Sequence, residues 1–108
     1  MKRIDMNKAY AELEGVKVEL WGGVNLRVVK PAAFNKITGV YDPVGNGYLN
    51  VSARDDYKVE IDYDESKVFI LGAFFEGAEV INVDMTLDHQ PSRAVIECIL
   101  KFKGKWVE

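Results

Sequence analysis

From Tyr48 to Phe102 apolar and polar residues alternate in short runs separated by turn formers, which predicts one near-continuous antiparallel β-meander. Tyr48 to Ala53 reads as its first strand, with a turn at Arg54-Asp55-Asp56. Tyr57, Val59, Ile61 and Tyr63 then alternate with Lys58, Glu60 and Asp62, the pattern of a half-buried strand. Asp64-Glu65-Ser66 turns the chain into Lys67 to Phe75, a strand that is apolar on both faces. After a turn at Glu76 to Glu79, Ile81, Val83, Met85 and Leu87 face inward against Asn82, Asp84, Thr86 and Asp88. His89 to Ser92 is the last turn. The final strand sets Ile96, Cys98, Leu100 and Phe102 against Val95, Glu97, Ile99, Lys101 and Lys103.

The pattern upstream is different. Met6, Ala9, Tyr10 and Leu13 fall at helical spacing, Asp5 or Asn7 is placed to cap, and Gly15 to end the helix in a left-handed conformation. Val16 to Leu20 follows as a strand with Val16, Val18 and Leu20 inward. Gly22-Gly23 is a two-residue hairpin signal, and Val24, Leu26 and Val28 line one face of the return strand. Pro31 to Gly39 reads as one or two turns of helix, and Asp42 to Gly47 as a loop rich in turn formers. The expected fold is therefore α+β, mainly an antiparallel β-sheet meander with a short N-terminal helix packed on one face. A small β-barrel or a two-sheet β-sandwich is the alternative.

Length and composition narrow the setting. The 108 residues make a single domain, 1–108, large enough for a core without disulfides or a metal. Hydrophobic content of 48% with 29% charged residues excludes a disordered chain. No run approaches the roughly 20 apolar residues that span a bilayer, and no apolar stretch follows Met1-Lys2-Arg3. The one cysteine, Cys98, has no second cysteine to pair with, which points to a reducing, cytoplasmic location. No repeat or low-complexity segment interrupts the chain.

Net charge is only −3, but it is unevenly spread. Between Asp55 and Asp88 ten acids meet two lysines, a net −8, while the remainder carries 12 basic and seven acidic residues, a net +5. Such a block creates a one-signed field that steers an oppositely charged partner and disfavours direct nucleic-acid binding.

The doubly apolar strand sharpens this. Lying between the Tyr57 and Ile81 strands, it has apolar side chains beside Glu60, Asp62, Asn82 and Asp84 on its second face. That face needs a curled sheet, the Pro31 segment, or a partner to cover it. An apolar stripe rimmed with carboxylates is the anatomy of a binding surface.

Chemistry is sparse. Asp88 beside His89, with Asp84 two steps along the strand, offers an oriented base, but a solvated face running into a turn explains it as well. Asp62, Asp64 and Glu65 offer oxygen ligands without the spacing of a calcium loop. Cys98 shares the Ile96 and Leu100 face, which favours burial over nucleophilic work with His89. Gly45-Asn46-Gly47 has the glycines of a phosphate loop but no Walker lysine and no convincing helix after it. Lys101 to Trp106 pairs charge with aromatics, as single-stranded nucleic-acid binders do, yet alternate lysines also guard an edge strand.

These features predict a non-catalytic protein-binding module with no cofactor and no metal. In its specific form it is an acidic inhibitor or immunity-type protein that occupies a basic surface of a partner, a role some phage proteins also fill. Asp55, Asp56, Glu60, Asp62, Asp64 and Glu65 are the steering acids, and Tyr57, Tyr63, Phe69 and Phe75 the candidate anchors. Two alternatives remain open. One is a small-molecule-binding cone or barrel, or a small enzyme, with a pocket lined by Tyr10, Tyr48, Phe74 and Met85. The other is a structural homo-oligomer, such as a homodimer sealed through an edge strand.

Overall fold

The computed structural model describes residues 1–29, 39–63, 68–72, 81–84 and 91–107. Along the chain run α1 (Arg3–Glu14), β1 (Val18–Trp21), β2 (Asn25–Val28), α2 (Gly47–Asp56), β3 (Glu60–Tyr63), β4 (Val68–Gly72), β5 (Ile81–Asp84) and α3 (Pro91–Phe102). The fold is α+β with an N-terminal helix and antiparallel sheet. β1 and β2 form a hairpin, and β3-β4-β5 a three-stranded meander in that order.

α1 buries Met6, Asn7, Tyr10 and Ala11. Gly15, at φ 68°, ends it: Gly15 N–H donates to the Glu12 carbonyl and Val16 N–H to the Ala11 carbonyl. Its start departs from expectation. Lys2 occupies the N-cap without a side-chain bond, so neither Asp5 nor Asn7 caps, and the Asn7 side chain is used elsewhere.

The hairpin is present, with a longer loop than the glycine pair suggests. Trp21 faces Asn25 across Gly22, Gly23 and Val24, and Leu20 faces Leu26 as Val18 faces Val28. A two-residue loop would set Leu20 against Asn25 instead. The apolar pattern therefore fixes the register, and the loop takes up the extra residue. Leu26 is fully buried and Val16, Val18 and Val28 are half-buried beneath α1, while Leu20 and Val24 near the loop are exposed.

Two expected strands are helices. Tyr48 to Ala53, with the turn expected at residues 54–56, is α2. Asn46 takes the N-cap, its side chain accepting from Leu49 N–H at 3.1 Å and its carbonyl from Asn50 N–H. Asn50 and Ala53 are buried and Leu49 and Tyr57 half-buried, a helical and not an alternating set. Asn50 Nδ2 donates to the carbonyls of Pro43 and Ser92, tying α2 to the turn before it and to the start of α3.

The expected last strand, residues 94–102, is α3. Residues 93–100 are buried without interruption, so the helix is wrapped on every side. The face opposite Ile96, Cys98 and Leu100 also carries Val95 and Ile99, and a run of apolar residues from Ala94 to Leu100 broken only by Glu97 suits a buried helix as well. Arg93, Glu97 and Lys101 are joined one turn apart by ion pairs that only a helix brings together. Lys101 to Lys105 is thus a helix end and its exit, not a guarded edge strand.

α3 organises the molecule. It packs against α1, α2 and β5, and it touches β4. Met6, Tyr10, Val44, Ala53 and Val59 close around its Ala94, Val95, Ile96, Cys98, Ile99 and Leu100 as the main core. Ala11, Leu26 and Tyr41 form a second cluster under the hairpin. β4 sits at the centre of its sheet, between β3 and β5 as the meander pattern required. Of the Pro31 to Gly39 helix, residues 31–38 lie outside the described residues, as do the turns expected at 64–66 and 76–79 and the strand ends at Lys67, Phe75 and residues 85–88. No helix among the described residues is long and apolar enough to cross a membrane.

Candidate protein-binding face

The outer side of α2 combines exposed apolar groups with acids. Asn50 and Ala53 anchor the inner side, which turns Tyr48 and Val51 outward at 78% and 58% exposure. Asp55 follows at the same helical spacing, and Asp55 and Asp56 are both exposed. Two carboxylates in the last turn face the negative end of the helix dipole, an arrangement that costs stability. Only Arg54 in that turn has the favourable sign, and its Nε donates to the Val59 carbonyl.

Tyr57 closes the helix and is held in place. Its hydroxyl donates to Glu14 Oε1 at 3.0 Å, and its ring meets Tyr10 edge-on with centroids 6.3 Å apart. Burial, then the Glu14 carboxylate, push its phenol up to about 12. Lys103 lies over the ring at 5.5 Å. Burial pushes Tyr10 and Tyr41 up as well, again with Glu14 contributing. Tyr57 is therefore a half-buried pin, less available as an anchor than Tyr48.

Lys58, at φ 53°, redirects the chain into β3. The register then sets Asp62 opposite Ile70, which is opposite Asn82, with Glu60 opposite Gly72 and Val68 opposite Asp84. In the same register Ile61 stands opposite Leu71, which is opposite Ile81, and Tyr63 opposite Phe69, which is opposite Val83. Asp55, Asp56, Tyr57, Glu60, Asp62 and Tyr63 thus follow one another from α2 into β3, and Phe69 pairs with Tyr63. Asp64, Glu65 and Phe75 lie outside the described residues, as do Asp88 and His89.

Other candidates are not assembled. Tyr10 is in the core and Tyr48 is on the surface, so they do not line one pocket; Phe74 and Met85 lie outside the described residues. Cys98 is fully buried in the main core. A helix does follow Gly45-Asn46-Gly47, contrary to expectation, but Asn46 itself takes up the Leu49 N–H. Trp21 is exposed, while Trp106 is half-buried with Arg93 and Lys101 over its ring.

A cleft of about 360 Å³ separates the start of α1 from β2 and residues 40–42. Three of its polar side chains, Arg3, Asn7 and Asp42, are engaged with one another. Arg3 grips the Asp42 carboxylate through Nε and Nη2, and Asn7 Nδ2 donates to Asp42 Oδ1 at 2.8 Å. Asn7 Oδ1 accepts from Val44 N–H. A Cβ on Gly45 would collide with this Arg3–Asp42 pair. The arrangement straps α1 to the turn before α2.

Exposure was the signal missed for Tyr48 and Val51: as strand residues they had no defined outer side. Compared with protein-family models, curated proteins and solved structures, the chain matches none.

Proposed function

We propose that this chain is a non-catalytic protein-binding module that meets a basic partner through the outer side of α2, with the acids from Asp55 onward steering the encounter. The observation that carries the reading is Tyr48 and Val51 standing exposed on the same helical stripe as Asp55. Exposed aromatic and aliphatic anchors beside a one-signed field supply affinity and encounter rate respectively. Acids placed where they oppose the helix dipole support a role other than stability. The inhibitor or immunity-type version of this role, in the cytoplasm, fits the net −8 of the segment 55–88 and the single cysteine.

The test is affinity capture from the source cell, followed by association kinetics with the captured partner over a salt series. Tyr48→Ser with Val51→Ser should abolish capture at every salt concentration. Asp55→Lys with Asp56→Lys should slow association at low salt and matter little at high salt. Equal capture and equal rates for all three proteins would remove the reading.

A further inference from the structure

The two edges of the hairpin differ. Val29 N–H donates to the Lys17 carbonyl at 2.9 Å, so Lys17, Glu19 and Trp21 direct their backbone groups toward β2. Val18 and Leu20 direct theirs away from it. On β2 the outward groups belong to Leu26 and Val28. There Tyr41 N–H donates to the Leu26 carbonyl and Val40 bridges to Arg27, so residues 40 and 41 cover that edge. Among the described residues nothing pairs with the outer edge of β1, and Lys17, Glu19, Leu20 and Trp21 along it are exposed. An open edge is a template for another strand.

We propose that β1 pairs with β1 of a second copy of this chain, antiparallel about a two-fold axis at Val18. The charges select that register. Outward backbone groups at Val18 and Leu20 allow only registers in which even positions meet even positions. An axis at Glu19 would set each Glu19 against its own copy, and an axis at Lys17 would do the same with lysines. With the axis at Val18, each Lys17 faces the Glu19 of the other copy, Val16 faces Leu20, and Val18 faces itself. Opposite charges directly across strands are favourable and like charges are not.

The partners already in place agree. Arg27 Nε donates to Glu19 Oε1 at 2.6 Å, so each Glu19 lies between Arg27 of its own chain and Lys17 of the copy. Val16 N–H is committed to the Ala11 carbonyl, but the Val16 carbonyl can accept from Leu20 N–H of the copy, and Val18 bonds reciprocally with itself. Along β1 and α1 runs a groove of about 600 Å³ whose lining includes Ala11, Val16, Val18 and Leu20 together with Lys17 and Glu19. Leu20 of the copy, 57% exposed in one chain alone, enters it. The surface is distinct from the α2 face, so this inference does not depend on the proposed function.

Solution mass and amide exchange, both measured over a concentration series, test it. The wild-type mass should rise to that of a dimer, and Lys17→Glu should raise the dissociation constant about tenfold. Lys17→Glu combined with Glu19→Lys and Arg27→Glu restores opposite charges both between the copies and within each hairpin, and should recover most of the loss. In the dimer the Val18 and Leu20 amides should gain protection, while the Glu19 amide, already bonded to β2, should not change. A monomer at every concentration overturns the proposal. So does a dimer in which Val18 and Leu20 exchange as they do in the monomer, or one indifferent to Lys17→Glu.

Discussion

Arg93 donates through Nη1 to Glu97 Oε1 at 2.6 Å across one turn of α3, with both side chains almost wholly removed from water. Lys101 Nζ lies 3.2 Å from the other carboxylate oxygen and is itself partly exposed. Buried ions are tolerable only when their charge is met, and removing Glu97 takes the carboxylate away from a guanidinium that stays buried. Glu97→Leu alone should destabilise the fold by about 3–5 kcal/mol. Arg93→Met with Glu97→Leu should cost clearly less. Urea denaturation of the single and double variants measures the difference.

Asn7 joins two segments through one amide, and its loss should be felt in both. Asn7→Leu leaves Val44 N–H without its acceptor, at a cost of about 1–3 kcal/mol. The same site sets an acid limit. Burial pushes the Asp42 carboxyl up, but bonds from Arg3, Asn7 and Gly45 outweigh it and hold the group below its ordinary 3.8. A depressed carboxyl stabilises fully above its unfolded value and loses that contribution as pH falls through the folded one. The stability difference between wild type and Asp42→Asn should therefore be constant near neutrality and shrink below about pH 4. Denaturation at several pH values checks it.

Tyr57 sets an alkaline limit of opposite sign. Its phenol is pushed up to about 12, so its contribution is complete below the ordinary value of 10.0 and fades as pH rises through the folded one. Tyr57→Phe should lessen the fall in stability between those values, with Tyr10 and Tyr41, also pushed up, supplying the remainder. Ultraviolet titration of phenolate in wild type and variant provides the direct readout.

At α2 the cap and the outer stripe should separate cleanly. Asn46→Ala removes the acceptor for Leu49 N–H and should cost about 1 kcal/mol. Tyr48→Ser and Val51→Ser touch neither cap nor core and should each stay within about 0.5 kcal/mol of wild type. Thermal melts of the three variants test both statements and establish that the binding variants are folded.

Local signals made α1, the hairpin and the central meander legible: Gly15 in its left-handed position, apolar residues at Val18, Leu20, Leu26 and Val28, and the alternation from Ile61 to Tyr63. The two misread segments have different causes. Ala94 to Phe102 is rich in β-branched and aromatic residues, and burial overrode that preference, whereas in Tyr48 to Ala53 the two strand-favouring residues, Tyr48 and Val51, stay exposed and the Asn46 cap starts a helix. Arg93, Glu97 and Lys101 at helical spacing were the available counter-signal for α3. For α2 it was Asn46 ahead of Leu49, hidden within a glycine-rich turn. The acids of the candidate face were readable as charge, but which apolar residues accompany them depends on helix or strand, so Tyr48 and Val51 were not.

The placement of α3 has a consequence for synthesis. The helix supplies the centre of the main core and comes after every other element. Met6, Tyr10 and Ala53 leave the ribosome long before the surface they are to cover exists, so this core cannot close until Phe102 has emerged. Closure of the main core is then a late event, and a nascent chain stalled short of α3 should be open to proteases along the segments that this core covers.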